Sequence, residues 1–261
     1  MFNFTEKVHE LKVSIITVCL NNVNTIHHTI ESVLMQTYKD IEYIIVDGDS
    51  SDGTKQILFQ YSKEVTKIIS EKDHGLYFAI NKGIQNSSGE IIGVLHADDF
   101  YTDEFVIEKV VATFKNNNTD SVYGNIKFIK DYKRSQIVRY VSGKYFHHKQ
   151  IRFGFMPPHP SLFIKKEIFN KYGLYNVDYE IASDYEIIVR FFATYKITYK
   201  YIDIDMVIMR IGGKSTKSFL SNIIICKESL KACKENGLYS NIIFILLKFP
   251  IKIFQFVTFN K

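Results

Sequence analysis

Asp98 and Asp99 are adjacent carboxylates closing a short apolar run, Gly89-Glu90-Ile91-Ile92-Gly93-Val94-Leu95-His96-Ala97. Two acids in a row repel each other. A hard divalent cation offsets the repulsion most simply, because such ions take carboxylate oxygens. The competing reading is that the pair caps a helix predicted to begin near Thr102. Other polar residues stand where chemistry is feasible. Asp47 ends a second apolar run, and Asp73 lies in a polar loop. His159 sits in Met156-Pro157-Pro158-His159-Pro160-Ser161, and Asp184 falls in the first turn of a predicted helix. The chain has no dinucleotide-type glycine loop, P-loop, Gly-x-Ser-x-Gly elbow or His-Glu-x-x-His pair. Two carboxylates holding a cation against a diphosphate, with another as base, are the minimum kit for displacing a nucleoside diphosphate from a sugar.

These residues need a scaffold that brings them together. Val13 to Leu20 is β-branched and almost wholly apolar, as in a strand covered on both faces. Asn21-Asn22-Val23-Asn24 breaks it, and Ile26, Ile30, Val33 and Leu34 then recur at helical spacing, with Asn24 or Thr25 placed to cap. Ile41 to Val46 is a second strand, Gly48 to Gly53 a turn before a helix, and Val65 to Ile69 a third strand. A short helix with Ala79, Ile80 and Ile84 precedes the run that ends at Asp98, and a helix is predicted from about Thr102 to Lys115. Alternating strand and helix is the signature of an α/β sheet with right-handed crossovers. Ligands bind beyond the carboxyl ends of such strands, so Asp47 and the Asp98–Asp99 pair are expected on one edge.

The second half is less regular. Val122 to Ile129, Ile137 to Val141 and Leu162 to Ile164 read as strands, and Lys166 to Tyr172 as a helix. Ala182 to Tyr195 reads as a helix burying Ile187, Ile188, Phe191 and Phe192. Arg210-Ile211-Gly212-Gly213-Lys214-Ser215 reads as a flexible basic loop, and Phe219 to Lys234 as an amphipathic helix. In the segment 241–261 the longest purely apolar run, Ile242 to Leu247, is far short of the roughly 20 residues that span a bilayer. With Lys248, Lys252 and Lys261 and no acid, it suits an interfacial helix on an anionic membrane. A helix packed on the domain, or a homodimer contact, is the alternative.

The chain has 261 residues, 46% of them hydrophobic, enough for one large domain with a C-terminal appendage. A net charge of +5 is too small to argue for nucleic acid. Cys19, Cys226 and Cys233 have no metal-ligand spacing, and few unpaired cysteines suggest a reducing compartment. Met1 to Lys12 carries charges throughout and no apolar core, so it predicts no secretory leader.

Ile15-Ile16-Thr17-Val18, Val46-Asp47-Gly48-Asp49-Ser50-Ser51-Asp52-Gly53-Thr54 and Leu95-His96-Ala97-Asp98-Asp99 resemble the nucleotide-sugar half of glycosyltransferase family 2. Glu71-Lys72-Asp73-His74-Gly75-Leu76-Tyr77-Phe78-Ala79-Ile80-Asn81-Lys82-Gly83 is similar to the branch that builds bacterial surface polysaccharides. Ala182-Ser183-Asp184-Tyr185-Glu186, with Arg190, resembles that family's catalytic-base helix. The resemblance covers Val13 to Ser215. It implies an α/β fold of GT-A type, a mostly parallel central sheet flanked by helices, over residues 1–216. The nucleotide-sugar half would span about 10–125 and the acceptor half about 126–216, with C-terminal helices at 217–261 as a membrane-associated extension.

The resemblance also implies inverting, metal-dependent transfer from a nucleoside-diphosphate sugar, with a UDP-sugar the expected donor. Asp184 would be the catalytic base, and Asp98 and Asp99 would hold Mn2+ or Mg2+ and orient the sugar. Asp47 would bind the nucleobase, at the N–H of uracil, and Thr17, Asn21, Asp49, Asp73, Gly75, Tyr77, Asn81 and Ala97 would line the donor pocket. His159 would stand near the acceptor or the diphosphate. Gly212, Gly213 and Ser215 resemble a late motif that closes over the donor, where Lys214 would meet phosphate. Each has a plainer alternative: a turn-forming Asp47, a loop-capping Asp73, a structural His159, a solvated Lys214. For Asp184 it is an acid favoured at a helix N-terminus. That dipole lowers an acid's pKa, so burial or nearby acids would have to offset it in a base. Two departures stand out. His96 occupies a position where many relatives carry Asp or Asn, which moves the expected metal site chiefly onto Asp99. Asp47-Gly48-Asp49 inverts the commoner Asp-Asp-Gly order, which weakens Asp49 as a donor contact.

The expected function is hexosyl transfer to a lipid-linked saccharide, of undecaprenyl-diphosphate type, in bacterial O-antigen, capsule or exopolysaccharide biosynthesis. The expected location is cytoplasmic, peripheral on the inner face of the cytoplasmic membrane. A sugar-phosphate nucleotidyltransferase would need a glycine-rich basic loop after the first strand, where Asn21-Asn22-Val23-Asn24 stands. A degenerate membrane-bound subunit would not need Asp98, Asp99 and Asp184 intact.

Overall fold

The computed structural model describes residues 10–130, 136–211 and 219–248. Its first half is built from β1 (Val13–Cys19), α1 (Ile26–Leu34), β2 (Ile41–Asp47), α2 (Thr54–Gln60), β3 (Lys67–Ser70), α3 (Leu76–Asn86) and β4 (Ile91–Val94). β1 lies between β2 and β4, with β3 outside β2, and all four strands run parallel. Every residue of β1 and of β4 is buried, as continuous apolar runs require in a sheet covered on both faces. Two clusters form the core, one on each face of the sheet. Ile16, Ile44 and Ile80 belong to one, and Ile15, Ile45 and Ile30 to the other.

Beyond β4 the sheet becomes mixed. It continues through β8 (Phe163–Lys165), β6 (Ser121–Ile129), β9 (Tyr199–Arg210) and β5 (Phe100–Tyr101), with β7 (Ile137–Val141) paired to β6. Two sequence expectations change here. The helix expected from Thr102 is α4 (Val106–Asn116), and it starts later because Phe100 and Tyr101 pair with β9 first. Arg210 ends a strand and does not belong to a loop. The signal for β9 was legible as the alternation Ile202-Asp203-Ile204-Asp205-Met206, which has the period of a half-exposed strand.

Of the remaining helices, three place side chains in the cluster that contains Ile16, and the last packs against the one before it. They are α5 (Lys166–Tyr172), α6 (Ser183–Ile188), α7 (Phe219–Glu235) and α8 (Ile242–Leu246). α6 runs on as a π-helical turn, Val189–Thr194, and Ile187, Ile188, Phe191 and Phe192 are buried as their spacing predicts. Cys226 and Cys233 of α7 are buried and unpaired. No helix among the described residues is long and apolar enough to cross a membrane.

Candidate active site

Strand register brings the first acids together. Asp47 lies beside Cys19 of β1 and Ser70 of β3, and Ile16 of β1 lies beside Val94 of β4. After β4 the chain makes one tight turn, closed by the Asp99 N–H donating to the His96 carbonyl at 3.0 Å. Asp98 and Asp99 therefore share the carboxyl edge with Asp47, as parallel strands demand. The helix-cap reading of the pair fails, because β5 separates it from α4, whose first residue is Val106.

Asp99 is 1% exposed, and neither carboxylate oxygen has a hydrogen-bond partner among the described residues. Its backbone is held, since the Thr29 hydroxyl donates to its carbonyl at 2.7 Å. Burial and then Asp98 push its carboxyl well above the ordinary carboxylate range, against a weaker downward pull from Arg210. Arg210 arrives through the β5–β9 pairing, which sets Phe100 opposite Ile208. A buried carboxylate without donors is costly unless a positive charge compensates it. The pair Asp98 and Asp99 thus fits a hard divalent cation. No group of three or more His, Cys, Asp or Glu with metal-site geometry occurs among the described residues. Two carboxylates suffice where substrate phosphates complete the coordination shell.

Asp47 is also fully buried, yet its carboxylate is well supplied. It accepts from the Ser50 N–H at 3.2 Å, the Ser50 hydroxyl, the Ser70 hydroxyl at 2.7 Å and the Cys19 thiol at 3.6 Å. The loops after β1 and β2 are laced together above it. The Asn21 N–H donates to Ser50 Oγ, the Ser51 N–H to Asn21 Oδ1, and the Asn22 N–H to Thr54 Oγ1. Asp49 points outward and pairs with Lys55. Thr17 is buried against the Tyr43 hydroxyl at 3.0 Å, and Ala97 is buried in the turn before Asp98. Asp73 reaches this edge from the loop after β3. Its Oδ1 accepts from the Gly75 N–H at 2.9 Å, and a Cβ at Gly48 would stand 2.8 Å from its Oδ2. Gly48 therefore makes the room that Asp73 occupies. Gly75, at φ +132°, has a backbone that side chains disfavour.

Two residues expected to line the donor pocket direct their polar groups elsewhere. Asn81 Nδ2 donates to the Tyr175 carbonyl, and its Oδ1 accepts the Tyr175 N–H. The Tyr77 hydroxyl donates to the Ile181 carbonyl and accepts the Ser183 N–H at 3.2 Å. Both residues tie α3 to the segment that leads into α6.

Asp184 sits one residue beyond that tie. Its Oδ1 accepts from the Tyr185 N–H at 2.8 Å. Burial raises its pKa, overcoming the opposite pull of the Tyr185 amide, His96 and Lys248. The offset that a base at a helix N-terminus requires is therefore burial. Glu186, in the same motif, has a different fate. Arg190 binds it through two hydrogen bonds of 2.9 Å, and Asn236 donates to it at 3.2 Å. Of the two acids, Glu186 is the one held as a structural anion by a salt bridge among the described residues.

His96 joins the two acid sites electrostatically. Burial and then His159 lower its pKa, while Asp98 and Asp184 raise it. His159 is buried, bonded through Nε2 to the Tyr175 hydroxyl at 2.8 Å, and lowered by burial to about 4. At neutral pH it is an uncharged hydrogen-bonding group. Lys248 is 6% exposed, and a Cβ on Gly154 would stand 2.9 Å from its Cδ. Burial lowers its pKa against the pull of Cys226 and Asp184, and so buried it is no membrane-facing cation. Nothing in the local sequence marked it, because it lies far from Asp184 along the chain. Lys214, with Gly212, Gly213 and Ser215, lies outside the described residues.

A family model described as glycosyl transferase family 2 matches residues 14–173. A glycosyltransferase of Mycobacterium bovis named for PGL/p-HBAD biosynthesis is 28% identical over 223 residues, covering 84% of this chain and 82% of its own. An uncharacterized glycosyltransferase of Mycobacterium tuberculosis is 29% identical over 182 residues, 68% of each chain. Among solved structures, S. aureus TarS 1-349 in complex with UDP-GlcNAc superposes with a TM-score of 0.67 at 15% identity, covering 88% of this chain and 68% of that one. The mannosyltransferase PcManGT from Pyrobaculum calidifontis, in complex with GDP-Man and Mn2+, gives 0.62 at 14% identity, covering 87% and 64%.

Proposed function

This chain belongs to glycosyltransferase family 2 and has the GT-A fold, and from that premise we propose that it is an inverting sugar transferase using a UDP-sugar. The observation that carries the reading is the unpartnered Asp99 carboxylate on the same sheet edge as Asp47. A divalent cation, Mn2+ or Mg2+, bound by Asp99 and Asp98 would neutralise the diphosphate leaving group. Asp184 takes the proton of the acceptor hydroxyl as its oxygen bonds the anomeric carbon and the bond from that carbon to the diphosphate oxygen breaks. The raised pKa of Asp184 makes it a stronger base than a free carboxylate. Asp47 holds Ser50 and Ser70 under the nucleobase, and a uracil N–H would take the place of the Ser70 hydroxyl on Oδ2. Asp73 walls the pocket beside Gly48. His159, uncharged, hydrogen-bonds the acceptor or diphosphate. Lys214, outside the described residues, would meet phosphate.

The acceptor we propose is a lipid-linked saccharide, reached from the inner face of the cytoplasmic membrane. Support comes from α8, where Ile242, Ile243, Leu246 and Leu247 are exposed together, with Tyr239 nearby in sequence. Exposed Lys227, Lys231 and Lys234 on α7 suit anionic headgroups. A panel of nucleotide sugars with Mn2+, read by thermal shift and by slow donor hydrolysis, tests the donor. UDP with Mn2+ is expected to stabilise the protein and its sugar nucleotide to release UDP. A shift with another nucleotide alone overturns the uridine assignment, and no shift with any overturns the transferase reading.

A further inference from the structure

The acid that acts as base must be held within a fraction of an ångström, and α6 has little means of holding it alone. It is six residues long before it passes into the π-helical turn, and a helical stretch of that combined length is marginal on its own. Its N-cap, Ala182, has no side-chain acceptor for the free amides of the first turn. The amides that lead into that turn are held from a distance. The Glu228 carboxylate of α7 accepts the N–H groups of Glu180, Ile181 and Ala182 at 2.6, 3.0 and 2.8 Å. The next N–H, of Ser183, goes to the Tyr77 hydroxyl of α3. Four consecutive amides are thus gripped from two sides, and Asp184 is the residue that follows.

We propose that Glu228 is a positioning residue: it sets the start of α6 and thereby the place of the Asp184 carboxylate. The proposal rests on Asp184 being the base. Charged acceptors make the stronger hydrogen bonds, and one carboxylate here answers three donors that have no local alternative. The neighbouring contacts between α7 and the same region have a different character. The Tyr179 hydroxyl donates to Glu235 at 2.6 Å, and the Lys231 ammonium lies 4.3 Å from the Tyr179 ring centroid. These bind side chain to side chain and leave the backbone of residues 180–183 untouched. Glu228 therefore makes the C-terminal helix part of the catalytic apparatus although it touches no substrate.

The experiment compares Glu228→Ala, Glu228→Gln, Glu235→Gln and Asp184→Asn in the full chain. The readouts are kcat and KM with the donor found by the nucleotide-sugar panel, the thermal shift given by UDP with Mn2+, and amide hydrogen exchange over 180–186. Misplacing a catalytic group by 1 Å costs on the order of 100-fold. Glu228→Ala is expected to lose about that much kcat, with unprotected amides at 180–182 and an unchanged UDP shift. Glu228→Gln, which keeps an acceptor oxygen without the charge, is expected to fall between it and the parent and covers the case in which the alanine variant fails to fold. Glu235→Gln is expected to keep kcat while the Tyr179 hydroxyl passes to a neutral acceptor. A parental kcat in both Glu228 variants alongside an inactive Asp184→Asn overturns the positioning role alone. Equal losses of kcat and of UDP shift in the Glu228 and Glu235 variants also overturn it, since they mark general destabilisation. A fully active Asp184→Asn overturns the base assignment and, with it, what Glu228 is said to position.

Discussion

Asp47 and Asp99 stand on one edge of one sheet, separated by a single strand, and both are buried. Asp47 has donors around it from Ser50, Ser70 and Cys19. Asp99 has none within hydrogen-bond geometry among the described residues, and burial and then Asp98 drive its pKa up against the pull of Arg210. The difference separates two ways of placing a charge. Asp47 organises the loops that will meet a ligand, and its environment is complete. Asp99 is left incomplete, which makes sense when a cation and its phosphates supply the missing partners. Asp184 belongs with Asp99, since burial prevails over the amide and cation that favour its charge.

The comparison can be broken most forcefully at Asp184. Asp184→Asn should lower kcat by about 10²–10⁴, the usual worth of a general base, while the thermal shift by UDP with Mn2+ survives. Full activity would move Asp184 into Asp47's structural class. Next, the two edge acids should have opposite signs in stability. Asp47→Ala strands the Ser50 and Ser70 donors and should cost on the order of 3 kcal/mol in denaturant unfolding. Asp99→Asn removes a buried carboxyl without hydrogen-bond donors and should raise the metal-free Tm, at about 2–4 °C per kcal/mol for a chain of this size. Changes of the same sign would erase the distinction.

A pH titration sharpens it further. The folded pKa of Asp99 lies above its unfolded value, so its share of stability is fully present below the unfolded pKa. That share is lost as pH rises through the folded pKa. Metal-free thermal scans should show this decline, and both Mn2+ and Asp99→Asn should flatten it. By the same reasoning the acidic limb of kcat/KM should lie above about pH 4, the ordinary aspartate value, because Asp184 must be ionised to act. A limb at or below that value would remove burial as the tuning force. The smallest effect concerns α8. Replacing exposed Ile243 and Leu246 by Asn should weaken co-sedimentation with anionic vesicles about tenfold, from the apolar area withdrawn, and unchanged sedimentation would sink the interfacial reading.

The parallel first part of the sheet was legible strand by strand. Continuous apolar runs marked β1, β2 and β4, and parallel pairing followed from the helices between them. The shared edge of Asp47 and Asp99 followed from the pairing. These are short-range patterns whose periodicity survives any tertiary context. Beyond β4 legibility dropped. β5 was missed because two residues carry no pattern, and with it went the true start of α4. β9 was missed although its alternation was present.

The set of acids, their order and the strand ends that present them could be read along the chain, because hydrophobic periodicity and strand direction are written locally. Only the tertiary structure decided which acids are satisfied and which are left wanting. It turned Tyr77 and Asn81 toward the backbone before α6, and it brought Arg210 beside Asp99 through strand pairing. It also set Lys248 near Asp184 and Glu228 on three amides of the base segment. The physical reason is that a charge's state depends on burial and on donors drawn from distant parts of the chain, and no local pattern encodes either.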